Sequence, residues 1–253
     1  MKKITQTALF LEFTSHFLGF AAVFSAVTVI FSSPSIRMSK EETARIADAQ
    51  TAAAVPLPVI VIDPGHGGED GGAVAADGTC EKDINLYIAK CVYGILTSAG
   101  FECTLTRSGD VMLSDAAGST RKMRDLRQRV QATEGKDCIF VSIHQNKFPQ
   151  QSCRGTQVYY SGNDPGSEAL ARTVADSVKK YLQPDNKREI KRAGAEIFVL
   201  DRCTVPAILI ECGFLSNPEE LEKLKTEEYK KTLACTIAAS VASYVTSETA
   251  RTE

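Results

Sequence analysis

Residues Val59 to His66 read VIVIDPGH and join a run of β-branched residues to a turn and a histidine. The apolar run from Val59 to Ile62 is typical of a strand that is buried on both faces. Strands of this kind belong to parallel sheets that carry helices on both sides. His66 follows at the carboxyl end of the strand, where parallel sheets place their ligand sites. The stretch therefore predicts both a fold class and the position of a site.

The rest of the chain repeats this alternation of strands and helices. Apolar runs predict further strands over residues 101–106, 138–143, 155–160, 196–200 and 206–210. Helical spacing of apolar residues predicts helices over residues 81–98, 121–133, 167–182 and 218–245. The order of elements predicts an α/β fold, a three-layer sandwich with a mostly parallel central sheet and helices on both faces. We expect one catalytic domain, residues 59–246, followed by a polar tail, residues 247–253.

The N-terminal segment has the pattern of an export signal. Lys2 and Lys3 precede an apolar run whose densest part is residues 17–31. We predict a signal or membrane anchor over residues 1–35 and a linker over residues 36–58. The run is not followed by a small-x-small cleavage site, which favours an uncleaved anchor over a cleaved signal peptide. The protein is therefore expected to be exported, at the outer face of the cytoplasmic membrane or in the cell wall.

Composition argues against several classes of partner and site. The chain has 29 Lys and Arg against 31 Asp and Glu, so no broad basic surface is expected and nucleic acid is excluded as a partner. The eight cysteines contain no C-x-x-C pair, which argues against a structural zinc site or a redox motif. We expect reduced and mostly buried thiols, and the alternative is a disulfide between Cys153 and Cys203.

Two histidines indicate a metal site. After the N-terminal segment the chain has only His66 and His144, and each follows the carboxyl end of a predicted strand. Because these ends meet at one edge of a parallel sheet, the two imidazoles can converge. A catalytic zinc ion needs three protein ligands, so a carboxylate should complete the set. The residues leave open which carboxylate binds and which acts as a base, among Asp63, Glu69, Asp70, Glu81, Asp83 and Glu211.

This region has two alternative interpretations. Both histidines could be structural, as single histidines often are. The glycine-rich segment around His66 could bind phosphate, but it lacks the lysine of a P-loop and the spacing of a dinucleotide-binding motif, and it carries two acidic residues.

Four short motifs, in this order, resemble those of one enzyme family. They are DPGHGG from Asp63, EKDINL from Glu81, SIHQN from Ser142 and ECGFLSN from Glu211. Together they resemble the zinc-dependent N-acetylmuramoyl-L-alanine amidases, the amidase-3 family, over residues 59–244. The resemblance implies the α/β sandwich predicted above. It also implies a peptidoglycan substrate, cut at the amide between the lactyl group of N-acetylmuramic acid and L-alanine.

The resemblance also implies roles for individual residues. It implies a zinc ion held by His66, Glu81 and His144, with Glu211 as the catalytic acid and base. The neighbouring Asp63 and Asn146, together with Arg107 and Arg129, are expected to support the ligands or to contact the substrate. For each of these four residues a purely structural role is the alternative.

The chain departs from the family pattern at Gln145, where an alanine is usual after the second histidine. Only residues 161–166 separate the strand predicted over residues 155–160 from the next helix, so we expect no inhibitory insert there. The anchor and the lack of wall-binding repeats resemble the spore-cortex amidases, which would place the protein in the cortex space of a spore former. An exported activator protein is an expected partner. The alternatives are a zinc peptidase acting on stem peptides and a non-catalytic peptidoglycan-binding module.

Overall fold

The β-branched residues from Val59 to Ile62 form the strand predicted for them. The computed structural model describes residues 56–114 and 120–252. Within these ranges one sheet has six strands, β1 to β6, which span Val59–Pro64, Cys103–Leu105, Cys138–Asn146, Gln157–Tyr160, Lys191–Arg192 and Ala207–Phe214. Their order is β2-β1-β3-β6-β4-β5. Strands β2, β1, β3 and β6 run parallel to one another. Strand β4 is antiparallel to β6, and β5 is parallel to β4.

Helices cover both faces of the sheet. The described helices, α1 to α6, span Glu81–Ser98, Arg121–Gln131, Gly166–Tyr181, Phe198–Arg202, Pro218–Lys225 and Glu227–Thr252. Ile60 and Ile62 of β1 point into the larger core, which α1, α3 and α6 cover. Val61 points into a smaller core that includes residues of α2 and α4. The alternation along β1 therefore separates two helical layers, and the predicted three-layer α/β sandwich is confirmed.

Three elements of the structure differ from the sequence predictions. The strand predicted over residues 196–200 is wrong, because Phe198–Arg202 forms the short helix α4. Val199 and Leu200 are buried there, so the apolar run that suggested a strand is one buried turn of helix. The two exposed residues of β5 carry no apolar pattern and were not predicted. The final helix is divided at Thr226, and its second part continues through the polar residues 247–252.

The predicted anchor, residues 1–35, and nearly all of the predicted linker lie outside the described residues. Among the residues that the structure does describe, no helix is long and apolar enough to cross a membrane. All eight cysteines are free thiols, so the alternative disulfide between Cys153 and Cys203 is not formed. Burial of the thiols is less general than predicted, since only Cys138, Cys203 and Cys212 are fully buried.

Candidate active site

Three adjacent parallel strands bring the candidate residues to one edge of the sheet. His66 lies two residues beyond β1, and His144 lies near the end of β3. Glu211, on β6, is the direct neighbour of His144 across the sheet. Glu81 is the first residue of α1, whose N-terminal turn lies against this edge and hydrogen-bonds to the loop after β1. The convergence predicted from strand ends is therefore present.

His66, Glu81 and His144 form a compact group. Each offers a ligand atom, and these atoms all lie within 4.8 Å of one another. Glu81 Oε1 is 2.8 Å from His144 Nδ1, and its Oε2 is 3.4 Å from His66 Nε2. Burial raises the pKa of Glu81, but the hydrogen bonds from both histidines outweigh it and hold this pKa well below its usual range. Glu81 is thus a buried carboxylate ion between two imidazoles.

Asp70 orients the first histidine. His66 Nδ1 lies 2.9 Å from Asp70 Oδ2, and a carboxylate oxygen can only accept in this bond. The ring therefore donates from Nδ1 and presents Nε2 to Glu81 and the centre of the group, as metal-binding histidines do. Burial lowers the pKa of His66, but hydrogen bonds to Asp70 and Glu81 raise it to about 9. Asp70 was one of six carboxylate candidates, and the structure makes it the partner of a histidine.

Gly65 and Gly72 have no side chains, which leaves room for His66, Glu81 and His144. A Cβ atom on Gly65 would overlap the imidazole ring of His144. A Cβ atom on Gly72 would lie 2.6 Å from Glu81 Oε2 and 2.6 Å from His66 Cδ2. Gly72 also has φ of +67°, which favours glycine. The glycine-rich loop is therefore shaped around the two histidines and the carboxylate, and the phosphate-binding interpretation has no support.

Glu211 has the properties of a proton-transfer group. Its Oε2 atom is buried and has no hydrogen-bond partner among the described residues. Burial raises the pKa of Glu211 to about 7, with nearby His144 and His66 lowering it and Glu81 raising it. A carboxyl group with this pKa can both accept and release a proton near neutrality. The two imidazoles, the carboxylate and this unpaired oxygen together fit a catalytic zinc site.

Asp63 and Arg129 fix the backbone beneath His66. Asp63 is fully buried and accepts hydrogen bonds from Thr106, Ser142 and Arg129 at 2.6–2.7 Å. Arg129 also donates to the carbonyl groups of Pro64, at 2.8 Å, and His66, at 2.7 Å. Burial raises the pKa of Asp63, but Arg129 and the two hydroxyl groups hold it below its usual range. The pair thus ties α2 to the end of β1.

Arg107 also fixes the backbone next to His66. It donates to the carbonyl groups of Pro64, Gly65 and Lys82, each at 2.9 Å. Arg107 and Arg129 are each only 2% exposed. Both guanidinium groups donate hydrogen bonds to carbonyl or carboxylate groups of the protein itself. These bonds favour the structural alternative over a contact with substrate carboxylates. Asn146 lies at the end of β3, and its role stays a prediction.

Two side chains beside the ligands were not assigned a role from the sequence. Asn85 is fully buried and hydrogen-bonds to Glu81, and Gln145 is 2% exposed and hydrogen-bonds to Asn85. Asn85 could have been found, because a residue four positions after Glu81 on a helix lies on the same face. Gln145 was noted only as a departure from a family pattern.

Comparisons with known proteins identify one enzyme family. The family model described as N-acetylmuramoyl-L-alanine amidase matches residues 60–243. The germination-specific N-acetylmuramoyl-L-alanine amidase of Bacillus subtilis is 36% identical over 192 residues, which are 74% of this chain and 80% of that protein. The amidase AmiA of Escherichia coli is 30% identical over 230 residues, covering 74% of this chain and 75% of that protein.

A solved structure is also similar to this chain. It is the CwlD amidase from Clostridioides difficile in complex with the GerS lipoprotein, which superposes with a TM-score of 0.71 at 33% identity. The match covers 75% of this chain and 99% of that one.

Proposed function

The chain belongs to the N-acetylmuramoyl-L-alanine amidase family and is a peptidoglycan hydrolase, and we propose that His66, Glu81 and His144 bind a zinc ion beside the catalytic Glu211. The bond cut is the amide between N-acetylmuramic acid and L-alanine. The observation that carries this assignment is the convergence of the three ligand atoms within 4.8 Å next to Glu211, whose buried oxygen has no partner among the described residues.

Two imidazoles and one carboxylate are a ligand set of catalytic rather than structural zinc sites. Three protein ligands leave a position open for water or substrate. Zinc bound there would supply a Lewis acid that polarises the amide carbonyl group and makes water more acidic. Among the described residues no fourth His, Cys or carboxylate joins the group, which argues against the closed site of a binding module.

Glu211 would carry the proton through the reaction. Its Oε2 accepts a proton as a water oxygen bonds to the amide carbon, and it then donates that proton to the amide nitrogen as the carbon–nitrogen bond breaks. The products are the lactyl carboxylate and a peptide with a free L-alanine amino terminus. A pKa of about 7 suits both transfers, since neither protonation state is strongly favoured at neutral pH.

Digestion of muropeptides by the full-length protein with zinc, read by mass spectrometry, tests the assignment. The wild type should release intact stem peptides that begin with L-alanine. Glu211→Gln should keep its zinc and lose at least about 100-fold in kcat, the scale of a lost proton-transfer group. Glu134→Gln, at an exposed carboxyl group beyond α2, should behave as wild type.

Three outcomes would contradict the proposal. Release of single amino acids with the muramyl linkage intact would indicate a stem-peptide peptidase. Zinc binding without cleavage of any muropeptide would indicate a binding module. Full activity of Glu211→Gln would remove Glu211 from the chemistry.

We also propose that the protein is exported and held at the outer face of the cytoplasmic membrane by residues 1–35. Support comes from the Lys-flanked apolar run and from a substrate that lies outside the membrane. Protease added to intact spheroplasts should digest residues 59–246 and leave a membrane-bound N-terminal fragment. Full protection of the chain would place it inside the membrane, and complete release into the medium would indicate a cleaved signal peptide.

A spore-cortex role with an exported partner protein is the more specific form of the proposal. A germination-specific amidase and an amidase solved with a lipoprotein are both similar to this chain. In a spore-forming host, deletion of the protein should remove muramic acid that lacks a stem peptide from the cortex. An unchanged cortex with an altered vegetative wall would assign it a vegetative role instead.

A further inference from the structure

A chain of buried amide groups leads from Gln145 to the proposed ligand Glu81. Asn85 lies one turn after Glu81 on α1 and has no exposed surface. Its Nδ2 donates to Glu81 Oε1 at 3.2 Å and to the carbonyl oxygen of Gly65 at 3.2 Å. Its Oδ1 accepts from Gln145 Nε2, also at 3.2 Å. One amide group thus touches a proposed ligand, the histidine-bearing loop and the residue after His144.

The partners of Asn85 determine which way its amide points. Both acceptors, Glu81 Oε1 and the Gly65 carbonyl oxygen, require the NH₂ group, so Oδ1 must face Gln145. Gln145 can satisfy Oδ1 only by donating from Nε2. If the donor at position 145 were lost, the Asn85 amide could turn over and bring Oδ1 against the negatively charged Glu81.

Both oxygens of Glu81 are held on the protein side. Oε1 accepts from Asn85 and from the backbone N–H of Gln145 at 3.0 Å, and Oε2 accepts from the backbone N–H of Ala73 at 2.8 Å. These bonds fix the rotation of the carboxylate and so the direction of its remaining lone pairs. Hydrogen-bonding partners of this kind commonly set the affinity of a metal site.

Gln145 is poorly explained as a residue that stabilises the fold. Its side chain is buried, and its Oε1 has no hydrogen-bond partner among the described residues. A buried acceptor without a partner destabilises the folded state. The same side chain interacts with the buried Cys212 and donates from Nε2 to Asn85. The bond to Asn85 points to a role at the site.

We propose that Gln145 and Asn85 are positioning residues for the Glu81 carboxylate, acting in series, and that they set the affinity of the site for zinc. Gln145 acts through Asn85 rather than by touching the metal. The inference rests on the zinc site of the proposed function but not on the reaction that it catalyses.

Zinc affinity of the full-length protein, measured by competition with a chromophoric chelator, tests this inference. Gln145→Met keeps most of the volume and removes the amide donor, and Asn85→Ala removes the direct contact with Glu81. Each change should weaken zinc binding by about 10- to 100-fold. Because the two residues act in series, the double variant should be no weaker than Asn85→Ala alone.

Two further measurements separate positioning from folding. The melting temperature of metal-free Gln145→Met should stay close to that of the wild type, because the substitution removes the unpaired Oε1 but leaves Asn85 Oδ1 without its donor. Gln183→Ala is the matched control, since Gln183 hydrogen-bonds to Thr156 and Tyr229 away from the ligands. It should leave zinc affinity within about twofold of the wild-type value, although it removes three side-chain hydrogen bonds where Gln145→Met removes one.

Wild-type affinity in both Gln145→Met and Gln145→Ala would overturn the inference, and so would losses that add in the double variant. A loss of zinc matched by an equal loss of metal-free stability would reduce Gln145 to a packing role and would also overturn it. If the wild type itself binds no zinc, the proposed metal site fails and this inference fails with it. A protein that binds zinc with the predicted pattern but cuts no muropeptide would contradict only the proposed function.

Discussion

Burial changes the pKa of single residues at the edge of the sheet where the candidate site lies. Glu211 shows this most directly, because burial raises its pKa from 4.5 to about 7. The folded protein therefore holds this proton more tightly than the unfolded chain does. The resulting stabilisation is fully present below pH 4.5 and is lost as the pH rises through 7.

Glu211→Gln should remove this pH dependence in the metal-free protein. The variant should be more stable than the wild type by about 3 kcal/mol at pH 8, and the difference should vanish near pH 4. Urea unfolding with a chelator present, at several pH values, measures it. A difference between the two proteins that does not change with pH would contradict the raised pKa of Glu211.

Gly72 is required by the space around the ligands as well as by its backbone. Gly72→Ala should cost about 1–2 kcal/mol through its positive φ alone. It should also weaken zinc binding at least about 10-fold, because the new Cβ atom displaces Glu81 and His66. Gly78→Ala is the control, since Gly78 has φ of +86° and open space around its Cα. Equal zinc affinity in the two variants would show that the loop around Gly72 can adjust.

At the scale of elements, α2 is held to the end of β1 by one buried arginine. Arg129 pairs with Asp63 at 2.6 Å and with Asp125 at 2.8 Å. It also donates hydrogen bonds to the backbone carbonyl groups of Pro64 and His66. The helix has few apolar residues, and partly exposed ion pairs from its first turn to the loop after His66 add to this contact.

Replacing Arg129 should destabilise the fold strongly. Arg129→Met leaves Asp63 buried without its cation, and we expect a loss of about 3–5 kcal/mol in the free energy of unfolding. Arg129→Lys should recover only part of it, because lysine lacks the planar set of donors. Arg127→Ala, at an exposed position of the same helix, should change stability by less than about 0.5 kcal/mol. Denaturant melts of the three variants decide this, and a small loss in Arg129→Met would mean that α2 is held mainly by apolar packing.

For the whole molecule, the sheet divides the interior into a larger and a smaller core, and buried thiols lie in both. Cys212 belongs to the larger core, and Cys138 and Cys203 belong to the smaller one. Burial raises the pKa of all three, that of Cys203 to about 12. The thiolate is the reactive form of cysteine, so these residues are protected from thiol reagents both by burial and by their raised pKa.

Thiol labelling should therefore report global unfolding. With a disulfide reagent at pH 8, the exposed Cys235 should react in the native protein, whereas Cys138, Cys203 and Cys212 should react only in denaturant. Peptide mass spectrometry identifies the labelled residues. Labelling of Cys203 and Cys138 without Cys212 would show that the smaller core opens independently of the larger one.

Much of this molecule can be read from its amino-acid pattern. Strands buried on both faces leave continuous apolar runs, so β1, β3 and β6 and the edge where they end were predicted, and with them the place of both histidines. The family resemblance added the ligand set and Glu211, which the residues alone left open among six carboxylates. The pattern failed at Phe198–Arg202, because a short apolar run suits a buried helical turn as well as a strand.

Contacts between distant parts of the chain came only from the tertiary structure. Asn85 and Gln145 are 60 positions apart, and Arg129 and Asp63 are 66 apart, so no local spacing relates them. Their pairing depends on how α1 and α2 pack against the sheet. Packing therefore placed Arg107 and Arg129, for which the sequence left a structural role and a substrate contact open, in bonds to the histidine loop. It also placed Gln145, a departure from the family pattern, against Asn85, because a buried polar group must find its partner within the fold.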